Sequence, residues 1–404
     1  MIYLQILIAI ILGCIAGTFT GLFPGVHINL VATILLSLSP LLIPYSNILA
    51  IAAFIIAMSI THTFTDFISS TYLGVPSDDT ALALLPAHKM LMEGMGHEAI
   101  RLSVIGSLLC LIAVIIFSPL LIIAVPFIFS ALKNYIAWIL LAVILLMIVR
   151  EEDNNKRFWT FVVTMLSGIL GIIVLNMPNL KDPLLPMLSG LFGVCVLSLS
   201  ISQKSALPLQ RTTEMIKVKF QSIIKAIFNG MFSGSLVSIF PGLGPAQAAV
   251  ISSQMSKKTD SIFYIIVVSG INTVSMILSL ITLYTINKAR NGSIIVVQEL
   301  MPDVSLKTLI FFLAVALVSG GIASFITIFC SKIFSSIMNK VNYSMLSIGI
   351  ITIVFVMVTY FSGIVGILIL ITATAIGLIP NLMETSRSAS MSCLILPIVI
   401  ASLI

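Results

Sequence analysis

One nine-residue stretch occurs twice in this chain. It reads Gly17-Thr18-Phe19-Thr20-Gly21-Leu22-Phe23-Pro24-Gly25 and, 217 residues later, Gly234-Ser235-Leu236-Val237-Ser238-Ile239-Phe240-Pro241-Gly242. In each copy an apolar run enters Phe-Pro-Gly and a second apolar run leaves it. Proline removes a backbone donor and clashes with the preceding turn, while glycine tolerates a reversed backbone, so each copy is expected to break its helix. Inside a bilayer, broken backbone has to be buried in protein or line a cavity, because lipid cannot satisfy its polar groups. Two such breaks in matching halves suggest two structural repeats, a common construction among membrane transporters.

A bilayer is the setting that the composition dictates. Of 404 residues, 59% are hydrophobic and 8% charged, the mean hydropathy is +1.21, and the apolar runs repeatedly reach the ~20 residues needed to cross. The sequence predicts an all-α polytopic membrane protein, two repeats with broken or re-entrant helices, and roughly ten to twelve membrane segments. The first run, residues 2–22, lacks a basic leader region and a small-residue cleavage pattern, and is expected to be a retained span. Cys14, Cys110, Cys195, Cys330 and Cys393 stand singly in apolar runs, so neither disulfides nor zinc is implied. The net charge of +6 does not call for nucleic acid, since the basic residues fall between spans, as membrane orientation requires.

Along the chain, residues 26–44 are apolar but carry His27 and Asn29, and are short enough for half of a hairpin dipping into the membrane. A span over 47–67 ends in Thr61, His62, Thr63, Thr65 and Asp66, then Ser69, Ser70 and Thr71. The polar turn 74–80 opens a helix over 81–92, with Asp78, Asp79 and Thr80 as start residues and Gly94 and Gly96 as the close. A long run follows through Val125 with Pro119 inside it, then spans over 135–149, 158–175 and 184–200. The linker over 202–225 holds Lys204, Arg211, Lys217, Lys219 and Lys225 against Glu214, which makes it cytoplasmic. The loop 150–157, with three basic residues, belongs on the same side. The chain therefore divides into a first repeat over 1–201, a basic linker over 202–223 and a second repeat over 224–404. The second half has its break at 241–245, a run over 262–286 holding Asn272, Thr273 and Ser275, and spans over 309–329, 345–361, 364–378 and 392–403. A weaker echo, Gly168 to Leu180 against Gly363 to Leu382, comes late in each half.

The breaks are the first candidates for chemistry. A half-helix that begins after Pro24-Gly25 or Pro241-Gly242-Leu243-Gly244 points free amides, aided by the helix dipole, at a carboxylate or phosphate. Asn29 and Gln247 are placed to add side-chain donors. The plainer alternative is two kinked spans. Asp66, the only acid in the first 77 residues, would cost ~2.5 to 3.5 kcal/mol in mid-membrane. With Thr65, Asn272 and His62 it is a candidate for coupling Na⁺ or a proton. It can equally end its span and meet interfacial water. Ser77 and Asp78 suit an anion contact or an ordinary capped turn. Lys288 and Arg290 can attract an anionic substrate or simply flank the membrane. Catalysis is disfavoured: His-Glu-x-x-His and Gly-x-Ser-x-Gly are absent, and His27, His62, His88 and His97 lack metal-ligand spacing.

The chain resembles the large membrane subunit of tripartite tricarboxylate transporters (TctA-like), and in particular their short archaeal relatives. The likeness rests on residues 17–25, on Val75-Pro76-Ser77-Asp78 with Leu91-Met92-Glu93-Gly94 and Ile105-Gly106-Ser107, on Pro241-Gly242-Leu243-Gly244, and more weakly on 387–397. It departs where the family's Tyr-Gly-Gly reads Phe64-Thr65-Asp66, where its Pro-Gly turn reads Pro76-Ser77, and where the second such turn reads Ala289-Arg290. The resemblance implies a secondary transporter for carboxylates driven by an ion gradient, served in bacterial systems by a small membrane subunit and an extracytoplasmic binding protein. The expectation is therefore a transporter of a small organic anion, resident in the cell membrane and able to form a homo-oligomer, with no cofactor beyond a coupling Na⁺ or H⁺. A lipid-phosphate flippase and a non-catalytic subunit of a larger complex are the alternatives.

Overall fold

The computed structural model describes residues 2–23, 47–74, 84–178, 182–202, 208–213, 218–238, 245–255, 261–340 and 343–403, with positions 28, 31, 32, 35 and 180 besides. Over these residues the protein is all-α, without a strand. Eight described helices are long and apolar enough to cross a bilayer, nine if one bent pair counts as a single span.

In the first half α1 is Ile2–Leu22 and α2 is Ile48–Leu73, α-helical to Ile68 and of π type from Ser69. Next come α3 (Leu84–Met92), α4 (Gly96–Ile116), α5 (Ser118–Leu132), α6 (Ile136–Val149), α7 (Asn154–Leu175) and α8 (Leu184–Ser202). The second half holds α9 (Phe220–Ser238), α10 (Pro245–Met255), α11 (Ser261–Ile286), α12 (Gly292–Leu300) and α13 (Leu306–Met338). It ends with α14 (Tyr343–Leu382), a 3₁₀ turn over Arg387–Met391, and α15 (Ser392–Leu403).

Local sequence explains where several of these elements stop. The expected long run through Val125 is two helices, with Phe117 between them. Pro119 falls in the first turn of α5, where a proline's missing amide leaves no bond unmade. Gly94 closes α3 at φ 80 and Asn287 follows α11 at φ 50, the left-handed conformation in which these two residue types end helices. In α14, Gly363 has φ 63 and ψ −155. A Cβ on Gly366 would meet Val358 Cγ1 at 3.0 Å, whereas eight residues along one helix span ~12 Å. The chain thus doubles back at Gly363, which gives the two separate spans that the sequence suggests.

α1 and α2 pack along a stripe of one glycine per turn. A Cβ would sit 2.8 Å from Ala57 Cβ if placed on Gly13, 2.8 Å from Thr61 Cβ on Gly17 and 2.9 Å from Thr65 Cβ on Gly21. Such spacing lets two backbones approach closely, the small-residue device of membrane helices. The contacts advance together along both chains, so α1 and α2 are parallel. The same holds for α9 and α11, where Gly230 faces Val267 and Gly270, and Gly234 faces Ile271 and Val274. The aligned glycines of the two nine-residue copies, Gly17 and Gly234, therefore occupy matching packing positions.

Contacts between the halves are crossed. α2 lies parallel to α13, with Ile60 near Gly320 and Tyr72 near Ser331 and Ser335. α4 lies parallel to α11, with Gly106 against Ile266 and Ser269, and Cys110 against Gly270. Late in the chain α8 runs beside the second arm of α14, through Gly190 at Leu370 and Leu191 at Gly377. α7 packs on the 3₁₀ turn through Ser167 at Ala389, and on α15 through Gly168 at Leu396 and Gly171 at Cys393. α2 and α11 are buried almost throughout, while Ile8, Leu12, Ile15 and Phe19 on the outer face of α1 are exposed.

Two glycine substitutions test this packing with opposite signs. In a helix interior, Gly→Ala alone gains about 1 kcal/mol, and an overpacked site loses about 1 to 3 kcal/mol. Gly17→Ala is expected to lower the thermal midpoint of the purified protein. Gly321→Ala, where a Cβ would meet nothing within 4 Å, is expected to raise it or leave it unchanged.

Candidate functional site

The centre of the protein is a polar seam, and α2 supplies it from two faces. Toward α1, the Thr65 hydroxyl is 3.2 Å from the Gly17 carbonyl and 3.0 Å from that of Thr61. Ser69 Oγ is 2.9 Å from the carbonyls of both Gly21 and Asp66, and Thr20 Oγ1 lies 3.0 Å from His62 Nδ1. Toward the second half, Ser59 donates to Ser293 Oγ at 2.9 Å, and Thr63 and Thr273 hydroxyls stand 3.5 Å apart. Asn272 Nδ2 donates to Asp66 Oδ2 at 3.4 Å. Ser59, Thr63 and Asp66 recur at the i, i+4, i+7 spacing that places them on one helix face.

Asp66 is only 2% exposed, and its helix runs seven residues further, to Leu73. It therefore sits within the span and does not end it. Of the three proposed ion-coupling residues, the structure joins Asp66 to Asn272 and turns the Thr65 hydroxyl toward α1.

Charged groups stand at the two ends of the bundle. Arg290 follows α11, its backbone N–H donating to Ser279 Oγ at 2.9 Å. Its guanidinium lies 5.4 Å from the centre of the Phe129 ring, with Lys288 Nζ at 5.2 Å from the same ring. Arg290 Nε and Nη2 are buried without a hydrogen-bond partner, and burial lowers the guanidinium's pKa. Arg387, in the 3₁₀ turn before α15, also has a buried and unpartnered nitrogen, Nη1. Beyond the weak family likeness over 387–397, nothing in the sequence singles out Arg387 except that no other basic residue follows Lys340.

The linker is strapped to both halves. Gln210 Nε2 donates to the Leu91 carbonyl at 2.9 Å, and its Oε1 accepts from Gly96 N at 3.1 Å. Its backbone N–H donates to Asn339 Oδ1 at 2.6 Å. Arg211 N donates to the Gly94 carbonyl at 3.0 Å, and the Thr213 hydroxyl donates to Glu98 Oε1. Nearby, His97 Nδ1 is 2.9 Å from Ser331 Oγ, which ties α4 to α13.

Most of the residues proposed to hold the anion lie outside the described residues: Pro24, Gly25, Asn29, Ser77, Asp78, Pro241, Gly242 and Gly244. Gln247 belongs to α10, and its side chain is likewise outside the description. Among the described residues no group of three or more His, Cys, Asp or Glu side chains is arranged to hold a metal.

The sequence matches the model of the Tripartite tricarboxylate transporter TctA family over residues 7–392. The chain belongs to the TctA family. It is 32% identical over 385 residues to the uncharacterized protein MJ1079 of Methanocaldococcus jannaschii, covering 93% of this chain and 94% of that protein. No solved structure matches. Membership makes this TctA protein a multi-pass membrane component of a transport system, in a family of transporters and not of enzymes.

The fold also sets a pH response. His88 in α3 is buried, and desolvation, with the Arg387 charge adding to it, brings its pKa down to about 4. An unfolded histidine titrates near 6.5. Between these values the unfolded chain binds a proton that the folded one does not, so stability is lost as pH falls through that window. The loss should reach about 3 kcal/mol at the acid end. The thermal midpoint is expected to drop from pH 7 to pH 4, and His88→Gln should flatten that slope.

Proposed function

We propose that this TctA protein is a secondary active transporter of a small organic anion, a di- or tricarboxylate, coupled to a Na⁺ or H⁺ gradient. The observation that carries this reading is the crossed, parallel packing of α2 with α13 and of α4 with α11, with Asp66 and Asn272 meeting where the halves cross. A two-fold axis in the membrane plane that exchanged α2 with α11 and α4 with α13 would reverse each helix. Parallel pairs across the halves are what that operation generates, and inverted repeats of this kind rock about a central site to give alternating access. The TctA match supports a carboxylate substrate.

In this scheme the coupling cation sits at the α2/α11 seam. Asp66 supplies the charge, and Asn272, Thr63 and Thr273 supply neutral oxygens. An ionised carboxylate in hydrocarbon is costly unless paired, and a Na⁺ or a proton relieves that cost during each transit. The anion site lies between the two Phe-Pro-Gly breaks, with Arg290 at one entrance. A small membrane subunit and an extracytoplasmic binding protein are the partners we assign, the latter docking on the Arg290 face.

Reconstitution into liposomes separates the steps. Wild-type protein should accumulate labelled citrate when a Na⁺ or H⁺ gradient is imposed. Asp66→Asn should reduce gradient-driven accumulation on the order of tenfold or more, while citrate exchange at equal concentrations continues. Undiminished accumulation by Asp66→Asn would remove the coupling assignment. Movement of a lipid phosphate with no citrate uptake would replace the transporter by a flippase.

A further inference from the structure

A second anion contact is built into the segment between α14 and α15, at the end of the bundle opposite Arg290. The segment is firmly held. Ser386 N donates to Glu151 Oε1 at 2.9 Å, and that oxygen also accepts from Thr160 Oγ1 at 3.1 Å. Ser167 Oγ donates to the Ala389 carbonyl at 3.2 Å. Backbone bonds fix both ends, from Thr385 N to the Pro380 carbonyl and from Ala389 N to that of Ser386.

What this frame presents is a set of donors with nothing to donate to. Arg387 Nη1, Thr385 Oγ1, Ser390 Oγ and Ser392 Oγ are all buried and have no hydrogen-bond partner. Ser390 and Ser392 are 1% and 0% exposed. A 3₁₀ helix has three residues per turn, so Arg387 and Ser390 stand one above the other on one face. Each unsatisfied buried polar group costs ~1 to 3 kcal/mol, more when charged, so four in eight residues of a well-anchored segment call for a ligand. Arg387 as a whole is only partly buried, so a solute can reach it.

The surroundings select the ligand's sign. His88 and Cys195 lie within electrostatic reach of Arg387, and His88 is neutral at physiological pH, as derived above. Thr71 Oγ1, on the π stretch of α2, is another buried, unpartnered hydroxyl, and the Thr71 backbone hydrogen-bonds His88. One guanidinium with several hydroxyls and no bound carboxylate among the described residues suits a planar oxyanion, which Arg grips with paired N–H bonds. The turn also packs on α10, the helix that follows the second Phe-Pro-Gly.

We infer that Arg387, with Ser390 and Ser392, binds a carboxylate group of the transported anion on the linker-facing side of the bundle. The assignment rests on the transport reading above and adds a specific binding residue to it. Lysine keeps the charge but cannot form the bidentate pair.

Citrate titration of the purified full-length protein, followed by thermal shift, tests this, with inorganic phosphate as a second probe. Wild-type protein should be stabilised by citrate. Arg387→Gln should weaken the half-saturating concentration about thirtyfold, Arg387→Lys by a smaller factor, and Ser390→Ala by a few-fold, with unliganded midpoints near wild type. Arg150→Gln, in the exposed loop at the same end of the bundle, should leave citrate binding unchanged. Equal citrate response by wild type, Arg387→Gln and Ser390→Ala would overturn the assignment and leave the transport reading intact. Arg387-dependent stabilisation by phosphate but not citrate would make this a phosphate site and overturn the carboxylate assignment. No citrate response and no citrate uptake by wild-type protein would remove both readings.

Discussion

Hydrocarbon offers no water, so every polar group in this bundle has to find its partner in the protein. The packing of α1 on α2 meets that demand with a single device. A glycine at Gly17 or Gly21 lets the backbones close up, and the carbonyl of the same residue then comes within reach of Thr65 or Ser69. A larger residue there would displace both the helix and the hydrogen bond. Close approach and polar satisfaction are thus one property, and α2 can afford a run as polar as Thr61 to Asp66 only because it is flanked on both faces. Asp66 is the extreme case, since a carboxyl buried on one half takes its hydrogen bond from Asn272 on the other.

Much of this was legible in the sequence. Apolar run lengths marked the spans, and Gly363 with the runs on either side gave two separate helices late in the chain. Asp66 and Asn272 stood out because polar residues within spans are costly, and that cost is also why they meet. Helix direction was not legible. The nine-residue copies locate two breaks, but only the register of Gly13, Gly17 and Gly21 on Ala57, Thr61 and Thr65 reveals α1 and α2 as parallel. Nor could composition locate the end of α4, because Phe117 and Pro119 sit in a run that is apolar on both sides. Arg387 was hidden for a different reason. As an isolated basic residue ahead of an apolar helix it looks like an ordinary membrane flank, and the absence of a partner exists only in three dimensions.

The linker adds a constraint that a bare count of basic residues misses. Gln210 bonds Leu91 and Gly96 in the first half and Asn339 in the second, so residues 208–213 act as a strap at one end of the bundle. α4 and α13, whose ends it joins, are also tied by His97 to Ser331 and by Gly320 against Leu111. On the repeat reading these two helices are counterparts. The strap then makes their ends at this face a pivot, because separating them would break several buried hydrogen bonds together, each worth ~0.5 to 1.5 kcal/mol net.

Arg290 and Arg387 end at opposite faces. α9 starts beside the linker and α11 runs parallel to it, so Arg290 emerges on the far side. Ser386 is bonded to Glu151 in the loop before α7, and Arg387 lies within electrostatic reach of His88 on α3, the helix whose Leu91 carbonyl bonds Gln210, which keeps Arg387 at the linker end. A guanidinium held partly out of water with nitrogens unpaired is a standing cost, and two of them on unrelated loops are hard to ascribe to packing. An anion that paired with each in turn would relieve that cost first at one face and then at the other. On that reading neither arginine can hold the ligand too tightly without trapping it, and both side chains keep part of their surface open to solvent. The Asp66–Asn272 seam lies between them, so on the transport reading proposed above the coupling charge and the substrate-receiving charges are kept on separate elements of the fold.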